Sequence, residues 1–322
     1  MANAASANKK PLLATLPGLV AACLFACLLW GSAFPCIKIG YKLFTIDSAD
    51  TASIIMFAGM RFLISGVLAI TGMSIAQHRF CGLTRRDLFP AANLSLYQTI
   101  LQYLLFYMGL SSSSGVTSSI VEASNTFLTV LLAVFIFRSE HLSGKKAVGC
   151  LIGFSGVLLV NLGKMASGLS FALDGEGLVF LSTFAAATSS NLSKRYSKGH
   201  DPVLLSGWQF IIGGAVLLVT GLAFGGHVAP AKEANPAVAV TLLIYMGFIS
   251  AAAYSLWSTT LAVNPVSRVA VFGFMNPVFG VILSAIFLGE TDAMDPLLAI
   301  AALILVSLGV VIVNRPEHST SS

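Results

Sequence analysis

Apolar runs long enough to cross a bilayer recur along this whole chain, separated by short polar or charged breaks. A spanning helix needs about 20 mostly apolar residues. Cutting at the charged and Gly/Pro/Ser-rich breaks gives ten runs, at 17–39, 52–76, 89–110, 114–137, 144–163, 175–196, 202–224, 237–262, 266–288 and 296–313. The narrowest breaks are "SSSSG" at 111–115 and "NPVSR" at 264–268. Lipid offers no hydrogen bonds to the backbone, so such runs are expected as helices. The expected fold class is therefore an all-α integral membrane protein of ten transmembrane helices. Composition agrees: 56% of residues are hydrophobic, 10% are charged, and the mean hydropathy is +0.87. Soluble domains carry roughly 25% charged residues.

The charges orient the helices. Lys9, Lys10, Arg79, Arg85, Arg86, Arg138, Lys145, Lys146, Lys194, Arg195, Lys198, Arg268 and Arg315 fall on one side, 13 of the 18 basic residues. Lys38, Lys42, Lys164 and Lys232 fall on or near the other, and Arg61 is left inside a run. The positive-inside rule then puts both termini in the cytoplasm of a multi-pass protein of the cell inner (plasma) membrane. The apolar run from Leu12 to Trp30 is longer than the roughly 7–15 residue core of a signal peptide, so it is expected to remain as the first helix. The net charge of +5 sits in short loops and implies no nucleic-acid partner. The five cysteines show no CxxC and no metal spacing, so neither a disulfide framework nor a metal site is expected.

The chain contains itself twice. "FLTVLLAVFIFRSEHL" (127–142) matches "PVFGVILSAIFLGETD" (277–292), with Glu140 opposite Glu290. "GFSGVLLVN" matches "LVSLGVVIVN", aligning Gly156 with Gly309. "MRFLISGVL" matches "WQFIIGGAV", aligning Phe62 with Phe210 and Gly66 with Gly214. Five helices are an odd number, so the second half enters the membrane from the opposite side. Such inverted repeats build secondary transporters, with a midplane site at the repeat interface and alternating access by rocking. The expected division is a first repeat at 14–163, a second at 174–314, and cytoplasmic tails at 1–13 and 315–322.

These segments resemble a known family. "LLWGSAFPCIKI", "MRFLISG", "EHLSGKKAVGCLIGFSGVLLVN", "NPVFGVILSAIFLGE" and "LVSLGVVIVN" are similar to the paired EamA domains of the drug/metabolite transporter superfamily. The resemblance covers nearly the whole chain. It implies a ten-helix carrier without ATP hydrolysis or cofactor and with a central cavity between the halves. Asn125-Thr126 stands where a proline often follows the small-polar segment of the fourth helix. Glu122 is not part of the general pattern, whereas Arg61 is shared with it, which implies an architectural role for Arg61.

Polar residues inside spans are costly, so those sharing a helix face are candidates to line a cavity. Gln98 and Gln102 are four apart. Ser118, Glu122, Asn125 and Thr129 form one stripe. Asn191, Tyr254, Trp257 and Asn276 lie within later runs, and Trp30 and Ser32 within the first. For Asn and Gln, helix–helix hydrogen bonding is an equal alternative. Pro35 and Pro277 are expected to interrupt their helices and free the carbonyls of Gly31 and Gly273. The row Gly149, Gly153 and Gly156 calls for close packing against span 10 or a second copy in a homodimer.

Two charges stand deep in the apolar runs. Arg61 lies ten residues beyond Thr51, about 15 Å along a helix, and Glu122 eight beyond Ser114, about 12 Å. Their similar depth makes a salt bridge one role. The other is functional, with Glu122 binding a substrate ammonium or exchanging a proton.

The leading expectation is a secondary carrier of a small organic metabolite such as an amino acid. Alternatives are a nucleotide-sugar or phosphate-ester exchanger, or a multidrug or quaternary-amine exporter. The phosphate class wants several cavity Lys or Arg residues, and only Lys38, Arg61 and Lys194 are candidates. There is no nucleophile elbow, HExxH or P-loop to support an enzyme or an ATP-driven pump, and no filter signature of a channel.

Overall fold

The computed structural model describes residues 11–112, 118, 121–165, 174–288 and 296–315. Lys9, Lys10, Glu290, most of "SSSSG" and most of both tails lie outside the described residues. A 3-10 turn, Leu12–Ala14, leads into α1 (Leu16–Leu43). Next come α2 (Thr51–Ala76) and α3 (Arg85–Ser95). A π turn, Leu96–Leu101, joins α3 to α4 (Gln102–Ser112). α5 (Asn125–Leu131) runs into a π turn at Leu132–Ile136. α6 (Gly144–Met165), α7 (Glu176–Tyr196), α8 (Pro202–Ala223) and α9 (Pro236–Val263) follow. α10 (Val266–Ala270), a 3-10 turn (Val271–Phe274), α11 (Met275–Leu288) and α12 (Pro296–Asn314) complete the order. No strand occurs among the described residues.

Five helical segments are long and apolar enough to cross a membrane: Leu16–Leu43, Thr51–Ala76, Pro202–Ala223, Pro236–Val263 and Val266–Leu288. Val121–Ile136 and Ile300–Asn314 are shorter apolar helices. Their starts are written in capping residues. Asp50 accepts from Ser53 N at 3.0 Å before α2. Asp201 accepts from Val203 N and Leu204 N before α8, and Asn235 from Ala237 N before α9. In the last two a proline follows at the first helical position, where its missing N–H costs nothing.

The expectation for Pro35 is corrected. α1 continues unbroken through it to Leu43. The Pro277 segment is interrupted, but upstream: the chain turns 3-10 at Val271–Phe274 and restarts at Met275, leaving Pro277 in the first turn, where proline is tolerated. The polar stripe of the fourth run is also less regular than expected, because a turn at Ser124 separates Val121–Ala123 from α5.

Repeat-equivalent helices pack on each other. In α2 and α8, a Cβ on Gly59 would lie 2.9 Å from Gly214 O and 2.4 Å from Leu218 N. A Cβ on Gly66 would lie 2.7 Å from Gly207 O and 2.8 Å from Ile211 N. Rising numbers in α2 meet falling numbers in α8, so the two run antiparallel. The register that aligns Phe62 with Phe210 also aligns Gly59 with Gly207 and Gly66 with Gly214. Exchanging the halves therefore turns the first contact into the second, as an isologous interface requires. α6 and α12 repeat the pattern. A Cβ on Gly149 would lie 2.9 Å from Gly309 O, and one on Gly156 2.8 Å from Ala302 O. The glycine row of span 5 thus packs against the last helix of the same chain.

At the α9–α10 connection, several elements converge. Glu140, after the α5 segment, accepts from Ser267 N at 3.0 Å and from the Ser267 hydroxyl, and pairs with Lys146 at 2.8 Å. Lys194 of α7 donates to Ala262 O at 3.1 Å and Asn264 O at 2.8 Å. Asn264 donates to Leu13 O at 2.8 Å.

Candidate functional site

Large rings gather where α1, α2, α4, α8 and α9 meet. Trp30 of α1 stands edge-on to Tyr254, with centroids 4.9 Å apart, and tilts against Trp257 at 5.1 Å. Tyr254 meets Phe210 of α8 at 5.0 Å, and Phe210 stacks on Phe62 of α2 at 5.2 Å. Phe62 lies 4.5 Å from Tyr103 of α4, which continues to Tyr107 at 6.0 Å. Edge-to-face and offset pairs of this kind exploit ring quadrupoles and fix a rigid surface. Helical spacing explains the gathering, because Trp257 and Tyr254 share a face of α9, and Tyr103 and Tyr107 share one of α4.

One of the two deep charges, Arg61, touches this surface. The Arg61 guanidinium lies 4.5 Å from the Phe62 ring centre and 5.7 Å from that of Tyr103. Its Nε has no hydrogen-bond partner although Arg61 is only 5% exposed. Glu122, half-buried, is within electrostatic reach of Tyr103, Tyr107 and Tyr254, and so is Arg61. The two do not pair with each other. Ion pairs among the described residues include Lys146–Glu140 and His200–Asp87, and neither deep charge joins them. The salt bridge suggested by their depth is thus absent, because equal depth on two helices does not set which way each side chain turns. The Tyr103 and Tyr254 hydroxyls are 3.5 Å apart, and the Gln102 side chain reaches Tyr254.

The remaining sequence candidates divide. Trp30, Gln102, Tyr254 and Trp257 belong to this cluster, and Glu122 is within electrostatic reach of its tyrosines. Asn191 does not carry the same freedom: its amide nitrogen donates to Thr129 O at 3.1 Å and Ala187 O at 3.0 Å, so it ties α7 to α5. Asn125 accepts from Thr129 within its own helix at 3.3 Å. Ser32 donates to Leu29 O at 2.7 Å and meets the Tyr245 hydroxyl at 3.2 Å, away from the rings. Gln98 is buried in the π turn. Asn276 is half-buried, its Oδ1 without a hydrogen-bond partner.

A family profile described as the EamA-like transporter family matches residues 16–162 and again 173–315. The chain belongs to the EamA-like transporter family. Among its relatives, the uncharacterized transporter YvbV of Bacillus subtilis is 26% identical over 302 residues, covering 92% of this chain and 91% of that protein. A probable amino-acid metabolite efflux pump of Salmonella typhimurium is 26% identical, covering 83% of this chain and 86% of the relative. A WAT1-related chloroplast protein of Arabidopsis thaliana is 28% identical, but the match spans only 50% of it. A crystal structure superposes with a TM-score of 0.73, covering 93% of this chain and 97% of the other at 17% identity, a likeness of fold alone.

Four ring residues of the EamA cluster escaped the sequence reading: Tyr103, Tyr107, Phe62 and Phe210. Tyr103 and Tyr107 are four apart and follow Gln102, so the stripe that singled out Gln98 and Gln102 could have been widened to include them. Phe62 and Phe210 were visible as a repeat pair, but nothing in the sequence says that equivalent residues touch.

Proposed function

We propose that this EamA protein is a secondary carrier that exports or exchanges a small organic metabolite, an amino acid or a related compound, by alternating access. The observation that carries the reading is the ring cluster at the junction of the two halves, with the buried Arg61 guanidinium against it. Ionisable side chains within membrane-spanning segments mark substrate or ion pathways. The family match and the relative named as a probable amino-acid metabolite efflux pump support the substrate class.

The proposed architecture is ten spans in two inverted repeats, at 14–163 and 174–314, with both termini in the cytoplasm of the inner membrane. The antiparallel seam between α2 and α8, made of repeat-equivalent glycines, supports the inversion. The substrate site lies between the halves, where repeat-built carriers place it. Trp30, Tyr254 and Trp257 offer a surface for the apolar part of the substrate, and Glu122 contacts it directly.

The test is counterflow in reconstituted liposomes against amino acids, nucleosides and quaternary amines. Saturable exchange of amino acids is expected, with Glu122→Gln folded but at least tenfold slower. Wild-type rates in Glu122→Gln, or exchange restricted to quaternary amines, would refute this reading.

A further inference from the structure

We infer that an anionic phospholipid binds where α3 begins, its headgroup phosphate held by Arg85 and Arg86 of the first half and Lys198 of the second. Such binding lies beyond the carrier reading and requires neither cargo nor transport.

Polar ties between the halves seat the start of α3 on the α7–α8 turn. Asp87 Oδ1 meets His200 Nδ1 at 2.6 Å, and the Tyr196 hydroxyl donates to Asn93 Oδ1 at 3.1 Å. Trp208 of α8 donates from Nε1 to Cys81 O, just ahead of α3, at 3.2 Å. These ties gather cations from both halves on one surface. Arg85 and Arg86 open α3, and Arg195 and Lys198 stand at the close of α7, all four exposed. Arg86 leans across the turn: a Cβ on Gly199, next to Lys198, would lie 3.4 Å from one of its terminal nitrogens.

The acids nearby are already engaged. Asp87 is buried and its second oxygen accepts from the Thr84 hydroxyl, although Arg86 is within its electrostatic reach. Asp201 caps α8 by accepting from Val203 N and Leu204 N. None of the four cations joins an ion pair among the described residues. In the proposed orientation they face the cytoplasmic leaflet, whose anionic lipids attract clustered Lys and Arg.

Apolar side chains set the depth. Leu88 and Phe89 are 51% and 68% exposed, and they follow Arg85 by three and four residues on the same face of α3. One helical turn, about 5 Å, thus separates a cation from two large side chains that the described residues leave uncovered. A phospholipid matches that order, with its phosphate at Arg85 and an acyl chain over Phe89. The repeat does not demand the arginines. The equivalent connection of the second half, at 224–235 between α8 and α9, carries Lys232 beside Glu233 and no arginine.

The probes are phosphatidylglycerol, phosphatidylcholine and inorganic phosphate, each added to the purified full chain in uncharged detergent at fixed ionic strength. Native mass spectrometry should show phosphatidylglycerol retained in preference to phosphatidylcholine, and the melting temperature should rise saturably with phosphatidylglycerol alone. Each Lys or Arg near anionic lipid gives about a fivefold gain in binding, so Arg85→Gln/Arg86→Gln/Lys198→Gln should weaken retention on the order of a hundredfold. Lys42→Gln/Lys232→Gln removes two exposed cations from the other end and should retain the lipid as the wild type does. Equal retention of both lipids by the wild type would overturn the assignment, whether or not the triple variant folds. So would undiminished phosphatidylglycerol binding in the triple variant, or equal losses in the two variants. Stabilisation reproduced by inorganic phosphate would overturn it too, by making the site one for a free anion.

Discussion

The rings of Phe62 and Phe210 stack in parallel, centroids 5.2 Å apart and planes inclined by 3°. They are the same residue of the two repeats, both fully buried, and they meet where α2 crosses α8. Each ring is the other's packing partner, so the contact belongs to neither half alone. Phe62→Ala and Phe210→Ala should each destabilise the protein by about 3–5 kcal/mol, the usual cost of emptying a buried phenyl site. The double variant should cost less than the sum, because the second truncation removes a ring whose partner is already gone. Thermal unfolding in detergent micelles measures all three, and full additivity would show that the stack contributes nothing of its own.

The glycine seam beside that stack makes a sharper prediction. A Cβ on Gly66 meets the backbone of α8 at Gly207 O and Ile211 N, atoms that cannot swing aside. Gly66→Leu and its equivalent Gly214→Leu should force α2 from α8 and abolish the monodisperse peak in size-exclusion chromatography. Gly72 lies on the same helix, and a Cβ there would meet nothing within 4 Å. Gly72→Ala should therefore be neutral or slightly stabilising, through a better helix former.

Helix ends were legible because length and capping act locally. The run expected at 52–76 is α2, Thr51–Ala76, and the break at "NPVSR" separates α9 from α10. The π turn at Leu96–Leu101 and the turn at Ser124 were not legible, since the polar residues of those runs read as a stripe on one helix face and no Gly or Pro marks a break at either turn. The candidate site shows the same limit. Trp30, Gln102, Tyr254 and Trp257 could be picked out by unusual chemistry at mid-run. Their companions Tyr103 and Phe210 are ordinary aromatic residues of an apolar helix until α4 and α8 bring them together. Arg61 and Glu122 could be placed in depth by counting residues, but not in azimuth, which decides whether they pair.

Asp87, ahead of the apolar part of its helix, joins that helix to the α7–α8 turn through His200 Nδ1 at 2.6 Å. Burial pushes its carboxyl up, but hydrogen bonds from Thr84 and His200 outweigh this and hold it below the ordinary carboxylate range. A depressed folded-state pKa stabilises above the unfolded value and is lost as pH falls through the folded one. The melting-temperature advantage of the wild type over Asp87→Asn should thus be constant near neutrality and shrink below about pH 4. A gap independent of pH down to about 3 would show that the ionised carboxylate is not what holds the joint.

Glu140 closes one end of the bundle, the cytoplasmic end in the proposed orientation. Its carboxylate takes the backbone and hydroxyl of Ser267 at the start of α10, where a helix N-terminus favours negative charge. Lys146 holds the same carboxylate from the first half, at 2.8 Å. In the proposed carrier, opening this end by rocking the halves apart has to break the bonds to Ser267, since these run from the α5–α6 loop of one half to the start of α10 in the other, whereas the Lys146 pair lies within the first half. Glu140→Gln keeps an acceptor but loses the charge that binds Lys146. Cys27 reports on the outcome, being fully buried beneath that connection with its thiol donating to Phe272 O at 3.3 Å. In a background where Cys27 is the sole cysteine, Glu140→Gln should speed its modification by a membrane-permeant maleimide severalfold. Lys194→Met, which releases Ala262 O and Asn264 O on the same connection, should act in the same direction. Unchanged labelling in both variants would mean that apolar packing around Phe272, and not these charges, keeps this end closed.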